Sequence, residues 1–179
     1  MKHFFILICF AGLETGSVPE MVATSAEDRP ATEWYAPPPS TFKMLKKQDN
    51  LTTFVKLLEA TGLDEILDGK GTFTVFAPTD QAFAELLSPE ELEFMLQIEE
   101  RSGVRTLLES HIAEVKLSSA FMDANAQTTT LQQAVLSGKM VNINAADGGY
   151  FVNNAQVIEA DLRTKNGVIH LIDAMIVVD

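Results

Sequence analysis

Gly71-Thr-Phe-Thr-Val-Phe-Ala-Pro-Thr-Asp-Gln-Ala-Phe83 reads as a strand that turns sharply into a helix. Thr72 to Phe76 is β-branched and aromatic, the composition of a buried strand. Pro78 ends it, because proline donates nothing to a sheet ladder. Thr79 stands where a helix N-cap belongs. Asp80 follows in the first turn, where a negative charge suits the helix dipole. Ala82, Phe83, Leu86 and Leu87 give the helix an apolar stripe. A polar Thr-Asp pair therefore sits at a corner between two apolar elements, and its first reading is structural: a capped corner built around Phe76.

Working outward, helical periodicity precedes this corner. A short helix is expected over Phe42 to Lys47, and a second from about Thr52 to Ala60 with Gly62 as its C-terminal cap. Leu63 to Leu67 forms another turn, and Asp68-Gly-Lys-Gly71 is a loop. After the corner, Ser88-Pro-Glu-Glu91 is a capping box that opens a helix through Leu92, Met95 and Leu96. Arg101-Ser-Gly103 is expected to interrupt it, before a helix carrying Val104, Leu107 and Leu108. Beyond His111 the period falls toward two. Strands are expected at Ile112–Leu117, Thr128–Leu131, Ala134–Leu136, Met140–Asn144, Tyr150–Val152, Gln156–Glu159, Val168–Ile172 and Met175–Val178, with a helical turn at Ser118–Met122. Gly138 and Gly148-Gly149 supply hairpin turns. Helices first and a β-rich half after them give an α+β class with a mostly antiparallel sheet.

Two stretches carry a resemblance to a known family. Phe73-Thr-Val-Phe-Ala-Pro-Thr-Asp-Gln-Ala-Phe83 resembles the first signature motif of the fasciclin-like (FAS1) domain family, and Asn166-Gly-Val-Ile-His-Leu-Ile-Asp173 resembles the second, in the family's order and spacing. The resemblance covers about residues 40 to 179. It implies a wedge-shaped β-sandwich of mostly antiparallel strands with helices along one edge, in a single-domain secreted member. It also implies an adhesion or matrix-interaction module rather than an enzyme. Phe76, Thr79, Asp80, Asn166, His170 and Asp173 are the structural motif residues. The family often carries Tyr-His between its motifs, in a segment linked to integrin binding in animal members; here Ser110-His111 keeps only the histidine. Animal members also carry Asp-Ile before the second motif, and Asp161-Leu162 falls in that place. His111, Asp161 and Leu162 are therefore the candidate interaction surface. Asp161 is expected at an exposed strand end, where its loss would change stability by no more than about 0.5 kcal/mol.

The totals narrow the function classes. The chain has 179 residues, enough for one domain with a real core, and a net charge of −12. Such acidity argues against nucleic acid and anionic membrane surfaces as partners. Residues 1–26 read as a secretory signal: Lys2 and His3 precede a ten-residue apolar run, Phe4 to Leu13, too short to span a bilayer. Cleavage near Ser17, Ala23 or Ala26 stays open, with a retained anchor as the alternative. No membrane insertion of the mature chain is expected, and its place is outside the cytoplasm: secreted, periplasmic or at the cell surface. Residues 27–40 are a proline-rich linker carrying Trp34 and Tyr35, and 41–179 form the domain.

Cys9 is the one cysteine and lies inside the apolar run, so the mature chain is expected to lack disulfides, thiolate chemistry and Cys-bound metal. His111 and His170 are too scattered for a metal site even with Asp80 or Asp173, and no cofactor is called for. Ser110, His170 and Asp80 compose a hydrolase triad only on paper, since no G-x-S-x-G elbow is present. Gly69-Lys-Gly-Thr72 lacks the spacing of a phosphate loop. The expected partner is a cell-surface or matrix protein or glycan, with weak self-association as a further partner reading. The alternative function is a binding module for a glycan or small ligand, whose pocket Trp34, Tyr35, Tyr150 and Phe151 would line.

Overall fold

A computed structural model describes residues 37–97, 101–126, 130–146 and 148–178. Trp34 and Tyr35 lie outside these residues, as do the expected signal and residues 27–36 of the expected linker. Among the described residues, seven helices and seven strands follow in chain order. The helices are α1 Thr41–Leu45, α2 Thr52–Thr61, α3 Leu63–Asp68, α4 Asp80–Leu86, α5 Pro89–Gln97, α6 Arg101–Glu109 and α7 Ser119–Ala126. The strands are β1 Phe73–Pro78, β2 Ile112–Ala113, β3 Leu131–Ala134, β4 Met140–Ala146, β5 Gly149–Val152, β6 Ala155–Thr164 and β7 Gly167–Ile172.

The strand order is β2-β1-β7-β6-β5-β4-β3. Every pair is antiparallel except β1–β7, which is parallel. β6 is the element the two halves share, pairing with β5 at its start and with β7 from Val157 onward. β1 is buried along its whole length, and strand alternation divides its side chains between two cores. Phe73, Val75 and Ala77 join Ile169 and Leu171 of β7 against Phe54, Leu57, Leu58 and Leu108 of the helices. Phe76 faces the other way, with Ile172, toward Val141, Ile143 and Val152 of the hairpin sheet. The α+β sandwich implied by the motifs is the fold.

Several local expectations need correction. Arg101-Ser102-Gly103 opens α6 instead of interrupting a helix, since one glycine costs a helix only about 1 kcal/mol. The strand expected over Ile112–Leu117 stops at Ala113. Beyond it the Thr74 hydroxyl donates to the Val115 carbonyl (2.5 Å) and accepts from the Leu117 N–H (2.9 Å), replacing ladder bonds with side-chain bonds. Thr128–Leu131 and Ala134–Leu136 become one strand, β3, with residues 127–129 outside the described residues. Met175–Val178 is not a strand, because the amides of Asn153 and Asn154 take the backbone groups of Met175 and Val177. Leu86 is 60% exposed: α4 has seven residues, and Ala82 and Phe83 make its contact with the core.

Candidate functional site

The parallel pairing of β1 with β7 lays the two signature stretches side by side, with Phe73 opposite Gly167 and Phe76 opposite His170. At one end of this pair Asn166 closes three elements at once. Its Oδ1 accepts from the N–H (2.8 Å) and hydroxyl (2.9 Å) of Thr41 at the start of α1. Its Nδ2 donates to the Leu67 carbonyl at the end of α3 (2.8 Å) and to that of Gly69 (3.3 Å), and its own carbonyl accepts from the Phe73 N–H (2.9 Å). The Thr41 hydroxyl also meets that of Thr164 at 2.9 Å.

At the other end lies the Thr79-Asp80 corner. The Thr79 hydroxyl caps α4 by accepting from the Ala82 N–H (3.3 Å). Asp80 does something different from what its position suggests. Its carboxylate accepts from the N–H groups of Thr52 (3.1 Å) and Thr53 (2.7 Å) and from the Thr52 hydroxyl (2.9 Å). It therefore caps α2, whose own N-cap residue is Leu51 and offers no side-chain acceptor. Burial works to raise the Asp80 pKa, but the bonds from Thr53 and Thr52 outweigh it and hold the carboxyl below its ordinary value. Asp173, exposed beyond β7, accepts from the Gln156 N–H at 2.7 Å and fixes the start of β6.

His170 explains the irregular middle of β6. Register breaks between Val157 and Glu159 and again between Glu159 and Leu162, so residues there bulge out of the ladder. Asp161 lies in the second bulge with φ 62°, a left-handed conformation that aspartate tolerates better than most residues. Its N–H is released from the β6–β7 ladder and donates to His170 Nδ1 (3.3 Å). His170 Nε2–H donates in turn to the Leu117 carbonyl (2.7 Å), and the ring stacks on Phe76 at 5.7 Å with 23° between planes. Burial pulls the His170 pKa down, against the opposing Leu117 bond and Asp161 charge.

The Asp161 carboxylate is only half-buried, but it is not a free charge. It accepts from the N–H (2.9 Å) and hydroxyl (2.5 Å) of Ser119, the first residue of α7. Burial works against ionisation, but the Ser119 bonds, aided by His170 and Arg163, keep its pKa low. This overturns the expectation of a free strand-end charge. Asp161→Ala removes a helix cap and leaves alanine at positive φ, so a loss of about 1–2 kcal/mol is expected, not 0.5. Urea denaturation checks it, and a loss below about 0.5 kcal/mol would return Asp161 to the solvent-facing class. Leu162 is partly buried against the helix-side core.

His111 cannot be a contact residue, because none of it is exposed. Nδ1–H donates to the Leu107 carbonyl (2.8 Å) at the end of α6, and Nε2 accepts from the Ile176 N–H (2.9 Å). Its own carbonyl accepts from the Phe76 N–H (2.9 Å). Burial lowers its pKa to about 4, against the Leu107 bond. Both buried histidines thus bind protons less readily in the fold than in the unfolded chain. As pH falls below the ordinary histidine value of 6.5, the unfolded state takes up protons first. The stabilisation is full above that pH and drains away toward about pH 4; Asp80 and Asp161 add a further loss below their ordinary value of 3.8. Urea midpoints are expected to drop between pH 7 and pH 4.5, and to drop less in His111→Gln. A flat profile in the parent would mean the ring is not held neutral.

The triad composed from the sequence does not assemble. The Ser110 hydroxyl bonds the Thr106 carbonyl and Ser137, while both His170 ring nitrogens are spent on backbone. The proposed aromatic pocket also fails where it is described. Adjacent strand residues point to opposite faces, which separates Phe151 from Tyr150. The Tyr150 hydroxyl donates to Asp123 (2.6 Å), and burial, with that bond, pushes its pKa up to about 12.

The fold is a sandwich whose two signature strands pair at its centre, with the polar side chains of the motifs spent on capping and bulge repair. The sequence profile of the Fasciclin domain matches residues 49–178, and the chain belongs to that family. Protein sll1483 of Synechocystis sp. is 31% identical over 169 residues, spanning 94% of this chain and 86% of that protein. Transforming growth factor-beta-induced protein ig-h3 of Sus scrofa is 30% identical across 78% of this chain, and Homo sapiens periostin 29% across 76%. This chain spans only 20% and 16% of those two proteins. A FAS1 domain pair from the insect cell adhesion molecule Fasciclin I superposes with a TM-score of 0.68 at 18% identity, over 79% of this chain and 52% of that one.

Proposed function

We propose that this chain is an extracytoplasmic adhesion or matrix-contact module that works by non-covalent surface contacts and catalyses nothing. The observation supporting this is where the motif chemistry goes. Asp80, Asn166, His170, Asp161 and His111, the polar groups from which a reactive site would be drawn, are each hydrogen-bonded within the fold. That leaves recognition to the outside of the domain. Membership in a family represented in an insect cell adhesion molecule supports the same reading. Asp161 enters it as the joint between β6 and α7, and those two elements each leave a large apolar side chain outside: Ile158, 54% exposed, and Phe121, 44% exposed. These two exposed side chains are the candidate contact points.

Beads carrying the purified chain are expected to retain a saturable partner from an envelope or matrix fraction. Phe121→Asp with Ile158→Asp is expected to abolish retention while circular dichroism stays unchanged. Retention no greater than on albumin-coated beads would sink the adhesion reading. Undiminished retention by the folded double variant would move the contact surface elsewhere.

A further inference from the structure

Lysines far apart in sequence converge in space. Lys43, Lys70, Lys116 and Lys165 line one open cleft of about 770 Å³, beside the Asn166 closure and under Pro37–Pro39. Among the described residues, Asp68 is the only acidic one in that lining, and it is engaged by Ser40 and by Lys43 at 3.9 Å. Among the described residues, Lys70, Lys116 and Lys165 have no carboxylate within 4 Å. Four positive charges against one negative, in a chain of net charge −12, make a local field opposite in sign to the whole.

We propose that this cleft binds an acidic sugar unit, bearing a carboxylate or sulfate, of an anionic polysaccharide. The volume lies in the range of about 300–1,000 Å³ typical of ligand sites and exceeds what a bare oxyanion needs. Flexible ammonium groups supply point charges to an oxyanion without the geometric demand of a guanidinium fork. Among the described residues, the lining holds no aromatic ring on which a nucleobase would stack. The acidic remainder of the chain repels a long, densely charged rod such as duplex nucleic acid, while a concave site suits no flat anionic membrane. Prolines and glycine backbone form the walls that would meet a sugar face.

The proposal deepens the matrix-contact reading by naming a ligand class, and its test separates the two. Calorimetric titration of the full chain would use an oligogalacturonate, a sulfated oligosaccharide, a neutral oligosaccharide of equal length, inorganic phosphate and a short single-stranded DNA. One or both acidic sugars are expected to bind, more weakly as salt rises, and the other three are not. Lys116→Glu with Lys165→Glu is expected to lose about tenfold or more in affinity. Exposed Lys56, outside the cleft, is the charge-matched control, and Lys56→Glu with Lys47→Glu is expected to retain affinity. Equal loss in both double variants would reduce the effect to net charge and overturn the proposal. So would binding of phosphate or DNA as tightly as the acidic sugars, or no binding of either acidic sugar. Envelope retention that survives the cleft variant, with no acidic sugar bound, would sink this inference alone.

Discussion

Phe76→Ala is expected to lower the unfolding free energy by about 3–5 kcal/mol, the range for emptying a fully buried phenylalanine site. Phe76 has no exposed surface and packs with Val141, Ile143, Val152 and Ile172 in the hairpin-side core. Its ring also stacks on His170, the side chain that satisfies the β6 bulge, so truncation opens a cavity next to a buried hydrogen-bond relay. Neighbouring strands are paired on both sides of β1, which limits how far the site can collapse. Urea denaturation measures the loss. A change under about 1 kcal/mol would mean the residue is not in the core. Phe76→Leu keeps most of the volume and is expected to recover much of the stability; if it recovers none, the ring stack outweighs the volume.

Gly167→Ala is expected to cost about 3 kcal/mol or more, at or above the upper end of the usual overpacking range. A Cβ at this position would lie 2.1 Å from the Phe73 carbonyl oxygen and 2.9 Å from its carbonyl carbon. The obstacle is backbone in the partner strand, so no rotamer change relieves it. β1 and β7 would have to part where both are buried, beside the Asn166 bonds that gather α1 and α3. Gly103→Ala in α6 is the control, since its Cβ meets nothing within 4 Å and helix propensity favours alanine by up to about 1 kcal/mol. Thermal melts of the two variants are expected to move in opposite directions. A Gly167→Ala loss below about 1 kcal/mol would show that the strand pair tolerates separation.

The strand–corner–helix at residues 73–83 was legible because each signal is local: β-branched alternation, a proline stop and a threonine cap. The capping box at Ser88 was legible for the same reason, and it forms as read, with Ser88 N–H on Glu91 (2.8 Å) and Glu91 N–H on Ser88 (3.2 Å). What the sequence hid were groups acting across the chain. Asp80 has the local look of a cap for its own helix, yet it caps α2, because Leu51 leaves that terminus without an acceptor. Asp161 looked like a free charge because a bulge leaves no pattern in a strand of ten residues. A tolerant residue at positive φ is its only trace. The family's motif order makes His111 a candidate contact residue, whereas a scattered histidine by itself reads as a buried or half-buried, hydrogen-bonded imidazole. Its two ring nitrogens are held by Leu107, one helical turn before it, and by Ile176, which reaches it only in three dimensions. The lysine cleft had no linear signature at all, since its charges come from four separate segments.

The parallel union of β1 with β7 also bears on biogenesis. Its partners, such as Phe76 and His170, emerge from the ribosome nearly a hundred residues apart. Until β7 is synthesised, β1 has β2 along one edge and nothing along the other, and its two-sided apolar surface lacks half its cover. Closing so long a loop is slow, and an unpaired hydrophobic edge invites aggregation meanwhile. A chain ending before Gly167 is therefore expected to be aggregation-prone, with one edge of β1 unpaired. The second signature stretch is the clasp that completes the cover of β1.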